Sequence, residues 1–135
     1  MAIPIRVCIA LLLFLGAFAR SLAADGFDAI DGDHNGTISQ EEAQSASRAV
    51  FKSIDRNGDG KLSNDEVQSR LAPQVLKAAD PDADGALNLE EYAALVTARV
   101  KSANANGDGA VSREEYGTLA GKLLQDLIDE GRKAN

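Results

Sequence analysis

The sequence predicts an all-α fold in which short helices alternate with four acidic loops, and three observations support this prediction. Apolar residues between the loops recur with a helical period and without strand-like alternation, as in Val96, Val100 and Ala103. Each loop ends in a helix-starting pattern, a serine or asparagine followed three residues later by glutamate. The loop pattern starts at residues 31, 55, 80 and 104, and this regular spacing indicates an internal repeat.

The repeat consists of four twelve-residue segments: loop A (31–42), loop B (55–66), loop C (80–91) and loop D (104–115). Loop C shows the pattern most fully, with Asp80, Asp82 and Asp84 at positions 1, 3 and 5, Gly85 at position 6 and Glu91 at position 12. A hard cation takes about six to eight oxygen ligands at roughly 2.3–2.6 Å, so a short loop must curl around it with alternate side chains pointing inward. The glycine permits the sharp turn. The spacing therefore predicts a metal-binding loop.

These loops resemble those of the EF-hand superfamily, and the resemblance covers nearly all of the chain after residue 25. The loop pattern is similar to that of calmodulin, but the intervals between loops are shorter, as in small acidic EF-hand proteins exported by bacteria. The resemblance implies Ca2+ as the cofactor, bound by side chains and, at position 7, by a backbone carbonyl. The predicted metal ligands are Asp31, Asp33, Asn35, Thr37 and Glu42 in loop A; Asp55, Asn57, Asp59, Lys61 and Glu66 in loop B; Asp80, Asp82, Asp84, Ala86 and Glu91 in loop C; and Asn104, Asn106, Asp108, Ala110 and Glu115 in loop D.

The four sites are predicted to be unequal. Loop C has four carboxylates at ligand positions, loops A and B have three each, and loop D has two. Asn104 replaces the aspartate that the family pattern has at position 1. We therefore expect calcium in loops A, B and C, whereas loop D is either the weakest site or a degenerate loop kept for pairing. A glutamate at position 12 of every loop offers bidentate binding, which suits calcium better than magnesium.

Helices are predicted at about residues 25–31, 40–54, 64–71, 73–79, 89–103 and 113–130. Only twelve residues separate loop A from loop B, and loop C from loop D, so one continuous helix is expected to serve as exit of one loop and entry of the next. Pro73 disfavours helical geometry at Ala72, which predicts a break there. The domain, 24–135, is accordingly predicted to have two halves, about 25–72 and 73–135.

The pairing of the loops is less constrained. Ile38, Leu62, Leu87 and Val111 are expected to form short antiparallel bridges wherever loops pair. Straight shared helices would place neighbouring loops at opposite ends, and this favours an approach of loop A to loop C. After loop D, the predicted final helix has an apolar stripe that consists of Tyr116, Leu119, Ala120, Leu123, Leu127 and Ile128.

Residues 1–23 are predicted to be a secretory signal peptide, with a positive charge at Arg6, an apolar run at 7–19 and a cut after Ala23, or alternatively after Ala19. The alternative is a membrane anchor, but thirteen apolar residues are fewer than the roughly 20 that span a bilayer. The predicted location is therefore secreted or periplasmic. Cys8, the only cysteine, would be removed with the signal peptide.

Loss of Arg6 and Arg20 with the signal peptide leaves 12 basic residues against 21 acidic ones, a net charge of −9. Nucleic acid and anionic membranes are poor partners for such a chain. One histidine and no mature cysteine cannot build a nucleophile with its base, so we do not expect an enzyme. We expect a monomer that acts as a calcium buffer or calcium-stabilised module. The alternative is a calcium sensor with a protein target, although Met1 is the only methionine.

Overall fold

The structure of the protein is a computed structural model that describes residues 24–129. The predicted signal peptide, 1–23, lies outside these residues. The described part of the chain is dominated by helix, and its elements are α1 (Ala24–Ile30), β1 (Thr37–Ser39), α2 (Gln40–Ile54), β2 (Lys61–Ser63), α3 (Asn64–Val67), α4 (Pro73–Ala79), β3 (Ala86–Asn88), α5 (Leu89–Ala103), β4 (Ala110–Ser112), α6 (Arg113–Tyr116) and α7 (Leu119–Ile128).

Helices α2 and α5 are each continuous over 15 residues, as the short intervals between loops predict. Both begin with a capping box, in which Ser39 or Asn88 accepts a hydrogen bond from the backbone of the glutamate three residues later. Helix α4 begins at Pro73, whose missing N–H is harmless in the first turn. The residue before it, Ala72, is extended, and this confirms the predicted break.

Two predicted helices are shorter than expected. The helix predicted at 64–71 ends at Val67, because the chain tightens into a turn in which the Arg70 N–H bonds to the Val67 carbonyl at 2.7 Å. The prediction of a single helix at 113–130 is wrong, because this segment is divided into α6 and α7. Thr118 makes the division by capping α7, where its hydroxyl accepts a hydrogen bond from the Gly121 N–H.

The division also corrects the predicted apolar stripe of the last helix. Restarting the helix at residue 119 turns Leu119 and Leu123 outward, where they are 76% and 40% exposed. Leu124 takes an inward position instead and is fully buried, together with Leu127. Helical spacing counted through an undetected break therefore misplaces Leu119 and Leu123, whereas Tyr116, Leu127 and Ile128 of the predicted stripe are buried.

Two antiparallel strand pairs join the loops, β1 with β4 and β2 with β3. Loop A thus pairs with loop D, and loop B with loop C, so the expected approach of loop A to loop C is wrong. The reason is the direction of the two long helices. Helices α2 and α5 run antiparallel, so the loop at the start of each meets the loop at the end of the other. Each strand pair joins a loop of 25–72 to a loop of 73–135.

The apolar residues of the strands and helices form one core. Ile38 faces Val111 and Leu62 faces Leu87 across the strand pairs, and all four side chains are fully buried. Helices α2, α5 and α7 pack on one another. The Tyr92 hydroxyl, inside this core, donates a hydrogen bond to the Leu127 carbonyl at 2.8 Å. Within residues 24–129 no helix is both long and apolar enough to cross a membrane.

Candidate metal centre

Loop A brings three of its predicted ligands together. Oxygen atoms of Asp31, Asp33 and Glu42 lie within 4.8 Å of one another. Backbone groups hold them there, since the Gly36 N–H donates to Asp31 Oδ2 at 2.9 Å. The Asn35 N–H donates to Asp31 Oδ1 and Asp33 Oδ1, both at 3.1 Å. The loop backbone therefore folds around its carboxylates and orients them toward one point.

Loop C forms the second such cluster, with oxygens of Asp80, Asp82 and Asp84 within 4.8 Å of one another. The Gly85 N–H donates to Asp80 Oδ2 at 2.8 Å, as the corresponding glycine does in loop A. An all-oxygen set of clustered carboxylates is the donor chemistry that a hard divalent cation such as Ca2+ prefers. By this test the residues of loops A and C fit calcium.

Loops B and D also bond backbone N–H groups to the side chain at position 1, but their set of carboxylates is looser. The position-4 glycines donate in the same way, Gly58 to Asp55 Oδ1 at 2.8 Å in loop B and Gly107 to Asn104 Oδ1 at 3.0 Å in loop D. In loop B the position-6 glycine, Gly60, also donates to Asp55 Oδ2 at 3.1 Å. Among residues 24–129, only loops A and C gather three acidic side chains closely enough for one ion. Loop D has only two carboxylates at its ligand positions.

The glutamate at position 12 links the two ends of its loop. In loop A, Glu42 Oε2 accepts the Ser39 N–H and Oε1 accepts the Gly32 N–H, both at 2.8 Å. Glu66 makes the same pair of connections in loop B, to the N–H groups of Ser63 and Arg56. In loop D, Glu115 accepts the Ser112 N–H and, from position 3 instead of position 2, the Asn106 N–H. In loops A, B and D the glutamate carboxylate thus links the start of the loop to its end. To bind an ion with both oxygens, it must give up these backbone hydrogen bonds.

Loop C differs because Pro81 stands at position 2. Proline has no N–H, so Glu91 lacks a counterpart of the Gly32 bond and is held through Oε2 by the Asn88 N–H at 2.9 Å. The second oxygen of Glu91 is therefore less restrained than those of the other three glutamates. This arrangement adds to the higher charge of loop C in favouring calcium binding there.

These hydrogen bonds change the acidity of the glutamates. Burial opposes ionisation of Glu42, but bonds from Ser39, Gly32 and Asp33 outweigh it and lower its pKa. The pKa of Glu66 is lowered first by the Ser63 N–H, and that of Glu115 first by the Ser112 N–H. All three groups therefore favour the ionised form more strongly in the folded protein than in the unfolded chain.

We expect the calcium-free protein to lose stability in acid for this reason. A carboxyl group whose pKa is lowered by folding stabilises the folded state above its unfolded pKa of about 4.5, and that stabilisation is lost as the pH falls through the folded value. The urea concentration at the midpoint of unfolding, measured from pH 7 to pH 3, should therefore decrease once the pH is below about 4.5. A variant with Glu42, Glu66 and Glu115 all replaced by glutamine should show a flatter profile, and an equally steep one would contradict the assignment.

The fourth position of every loop has a left-handed backbone. Gly58 and Gly107 occupy it in loops B and D, but His34 and Ala83 do so in loops A and C, each with φ of 57°. A side chain in this conformation is strained by roughly 1–2 kcal/mol, whereas glycine adopts it freely. His34 is exposed.

Replacing Ala83 by glycine is therefore expected to stabilise the protein by about 0.5–1 kcal/mol, because relief of strain exceeds the added flexibility of the unfolded chain. The reverse change, Gly58→Ala, should destabilise by a similar amount, since an added Cβ there meets no atom within 4 Å and only the backbone is strained. Urea denaturation of both variants measures the effect. Changes of equal sign would contradict this prediction.

One contact within the site joins two loops and does not follow from the spacing of residues within either of them. The Lys61 ammonium of loop B forms an ion pair with the Asp84 carboxylate of loop C. The loop pattern predicts a role for Lys61 only through its backbone carbonyl. A contact between loops depends on which loops pair, and the sequence by itself left that open.

Two family models match the chain. The model for an EF-hand domain pair matches residues 22–97, and the model for a single EF hand matches residues 105–120. No curated protein matches the chain. The first match covers more than half of the chain and includes both carboxylate clusters. The chain therefore belongs to the EF-hand family, whose domains bind calcium.

Proposed function

We propose that the protein is exported to the periplasm or the cell exterior, and that it acts there as a calcium buffer or a calcium-stabilised module of the kind that bacteria secrete. Loops A, B and C hold the ions, and loop D is a weaker site. The observation that carries the proposal is the convergence of carboxylates in loops A and C, each within 4.8 Å. The signal-like composition of residues 1–23 supports export.

Binding would use the residues that the backbone already orients. The first three acidic or amide side chains of each loop offer one oxygen each, the residue at position 7 offers its carbonyl, and the glutamate at position 12 offers two oxygens. The bound ion neutralises the carboxylates that otherwise repel one another. The chain's own part is to keep these oxygens close together through the glycine N–H bonds and the strand pairs.

The pairing of the loops favours a buffer or stabilised module over a sensor. Helix α2 lies between loops A and B, and α5 between loops C and D, so a strand pair holds each helix at both ends. A helix held at both ends cannot swing outward without breaking one pair. A sensor that opens a groove needs such a movement.

Calorimetric titration of residues 24–135, which contain the whole described core, tests the proposal. We expect at least three calcium ions per chain. Glu91→Gln should remove or weaken by at least tenfold one of these sites, because it replaces a bidentate carboxylate. Glu90→Gln is the matched control, since Glu90 is the exposed neighbour outside the ligand positions. Absence of calcium binding by the unaltered chain would refute the proposed function.

A specific observation supports the sensor as a second candidate. An apolar groove of about 500 Å³ lies between α4 and α5, with Val75, Leu95 and Ala98 among its lining residues. Glu91 also lines it, so a movement of this predicted ligand could alter the groove. A hydrophobic-surface dye added during calcium titration distinguishes the candidates. Rising fluorescence would favour the sensor, and falling fluorescence the buffer or stabilised module.

A further inference from the structure

The ion pair between Lys61 and Asp84 crosses from one candidate calcium loop to its partner. Lys61 is at position 7 of loop B, in strand β2, and it lies opposite Asn88 of strand β3. Asp84 is at position 5 of loop C, and its carboxylate belongs to the cluster with Asp80 and Asp82. The register of the strand pair therefore places a cationic side chain of loop B at the metal site of loop C.

The ammonium bonds to the Asp84 oxygen that accepts no backbone N–H. Asp84 Oδ1 accepts the Ala86 N–H at 3.0 Å, in the same way that Asp59 Oδ1 accepts the Lys61 N–H in loop B. The other oxygen, Oδ2, carries the bond to Lys61. Ligation of a calcium ion by the Asp84 carboxylate would therefore compete with its bond to the Lys61 ammonium.

The charges around Lys61 strengthen its attachment. Its bond to Asp84 raises the pKa of Lys61, and the nearby charges of Asp84, Asp82 and Glu91 add to this effect. Conversely, the bond from Lys61 lowers the pKa of Asp84. Lys61 thus acts as a counter-ion for the most acidic of the four loops.

The other strand pair has no such cation. Thr37 and Ala110 occupy position 7 in loops A and D, opposite Ser112 and Ser39. Neither side chain is charged, so the paired loops A and D lack the charge that Lys61 adds to the B and C pair. At position 7, therefore, only the B and C pair has a cationic side chain.

We propose that Lys61 is an internal competitor that lowers the calcium affinity of loop C. This inference rests on the proposed binding of calcium by that loop. In the calcium-free protein the same side chain offsets repulsion among Asp80, Asp82 and Asp84 and stabilises the B and C strand pair. Loading of loop C displaces the ammonium from Asp84 Oδ2. The two effects of Lys61, on affinity and on calcium-free stability, consequently have opposite signs.

Lys61→Gln tests this, because it removes the charge and keeps a side chain of similar length. Lys122→Gln is the matched control, since Lys122 is exposed on α7 and the change alters net charge equally. Lys61→Arg keeps the charge. The amide NMR signal of Gly85 reports on loop C alone, because its N–H donates to Asp80.

We expect Lys61→Gln to lower the calcium midpoint of the Gly85 signal by roughly two- to fivefold, the range for an exposed ion pair. The same variant should have a lower urea midpoint without calcium, whereas Lys61→Arg and Lys122→Gln should resemble the unaltered chain on both readouts. An unchanged or higher calcium midpoint, or an equal shift in Lys122→Gln, would overturn the inference while the proposed function stands. If the Gly85 signal of the unaltered chain did not respond to calcium, the proposed site in loop C would itself fail.

Discussion

Removing calcium from residues 24–135 is expected to lower the free energy of unfolding by several kcal/mol. An ion that binds only the folded state stabilises it by about 2.7 kcal/mol per site at a hundredfold excess over Kd, so three sites contribute about 8 kcal/mol. Small domains have only about 5–15 kcal/mol in total. Urea denaturation followed by circular dichroism, with calcium and with chelator, measures the difference.

The physical reason is the density of negative charge in the loops. Twelve carboxylates occupy predicted ligand positions, and each close pair repels by about 1–4 kcal/mol, depending on the local dielectric. Without calcium we expect partial unfolding that begins at the loops. Magnesium serves as the control and should restore less stability, because its strict octahedral geometry suits a bidentate glutamate poorly. Coincident unfolding curves in calcium and chelator would contradict the prediction.

Gly121→Ala is expected to destabilise the protein by about 2–3 kcal/mol, the upper range for overpacking. A Cβ at this position would lie 2.3 Å from the carbonyl oxygens of both Glu115 and Tyr116. Those oxygens belong to the backbone of α6, so they cannot move aside as a flexible side chain could. Glycine at 121 allows the first turn of α7 to pack against the end of α6. The free energy of unfolding in urea, measured with saturating calcium, gives the size of the effect.

Gly117→Ala provides the comparison, because it changes another glycine at the same junction. A Cβ there meets its nearest atom, the Glu114 carbonyl oxygen, at 3.4 Å, which is close to ordinary contact. Its backbone has φ of −75°, which alanine adopts without strain. We expect a change within about 0.5 kcal/mol. Equal destabilisation by the two substitutions would show that the close approach at Gly121 is not the cause.

Much of the fold follows from local sequence. The capping boxes at Ser39 and Asn88 start α2 and α5 where the pattern predicts, and Pro73 starts α4. The buried positions Val50, Val96 and Val100 also follow from helical spacing. These features depend on residues within one or two helical turns of one another, so short-range pattern suffices to identify them.

The grouping of the candidate metal ligands also follows from local sequence. The oxygen-bearing side chains of a loop lie within twelve residues, so their spacing indicates that they can converge on one ion. In loops A and C the structure brings three carboxylates together. The ligand roles of all the predicted residues, including these carboxylates, stay predictions that a calcium titration tests.

The sequence by itself determined the repeat of oxygen-rich loops, the helix starts and the two continuous helices, because each is a short-range property of the chain. Only the tertiary structure decided that loop A pairs with loop D and loop B with loop C, since the antiparallel packing of α2 and α5 brings those ends together. It also decided the break before α7, where Gly121 approaches the end of α6. The contact of Lys61 with Asp84 follows from the same pairing, because a charge in one loop reaches another only when packing makes the two loops neighbours.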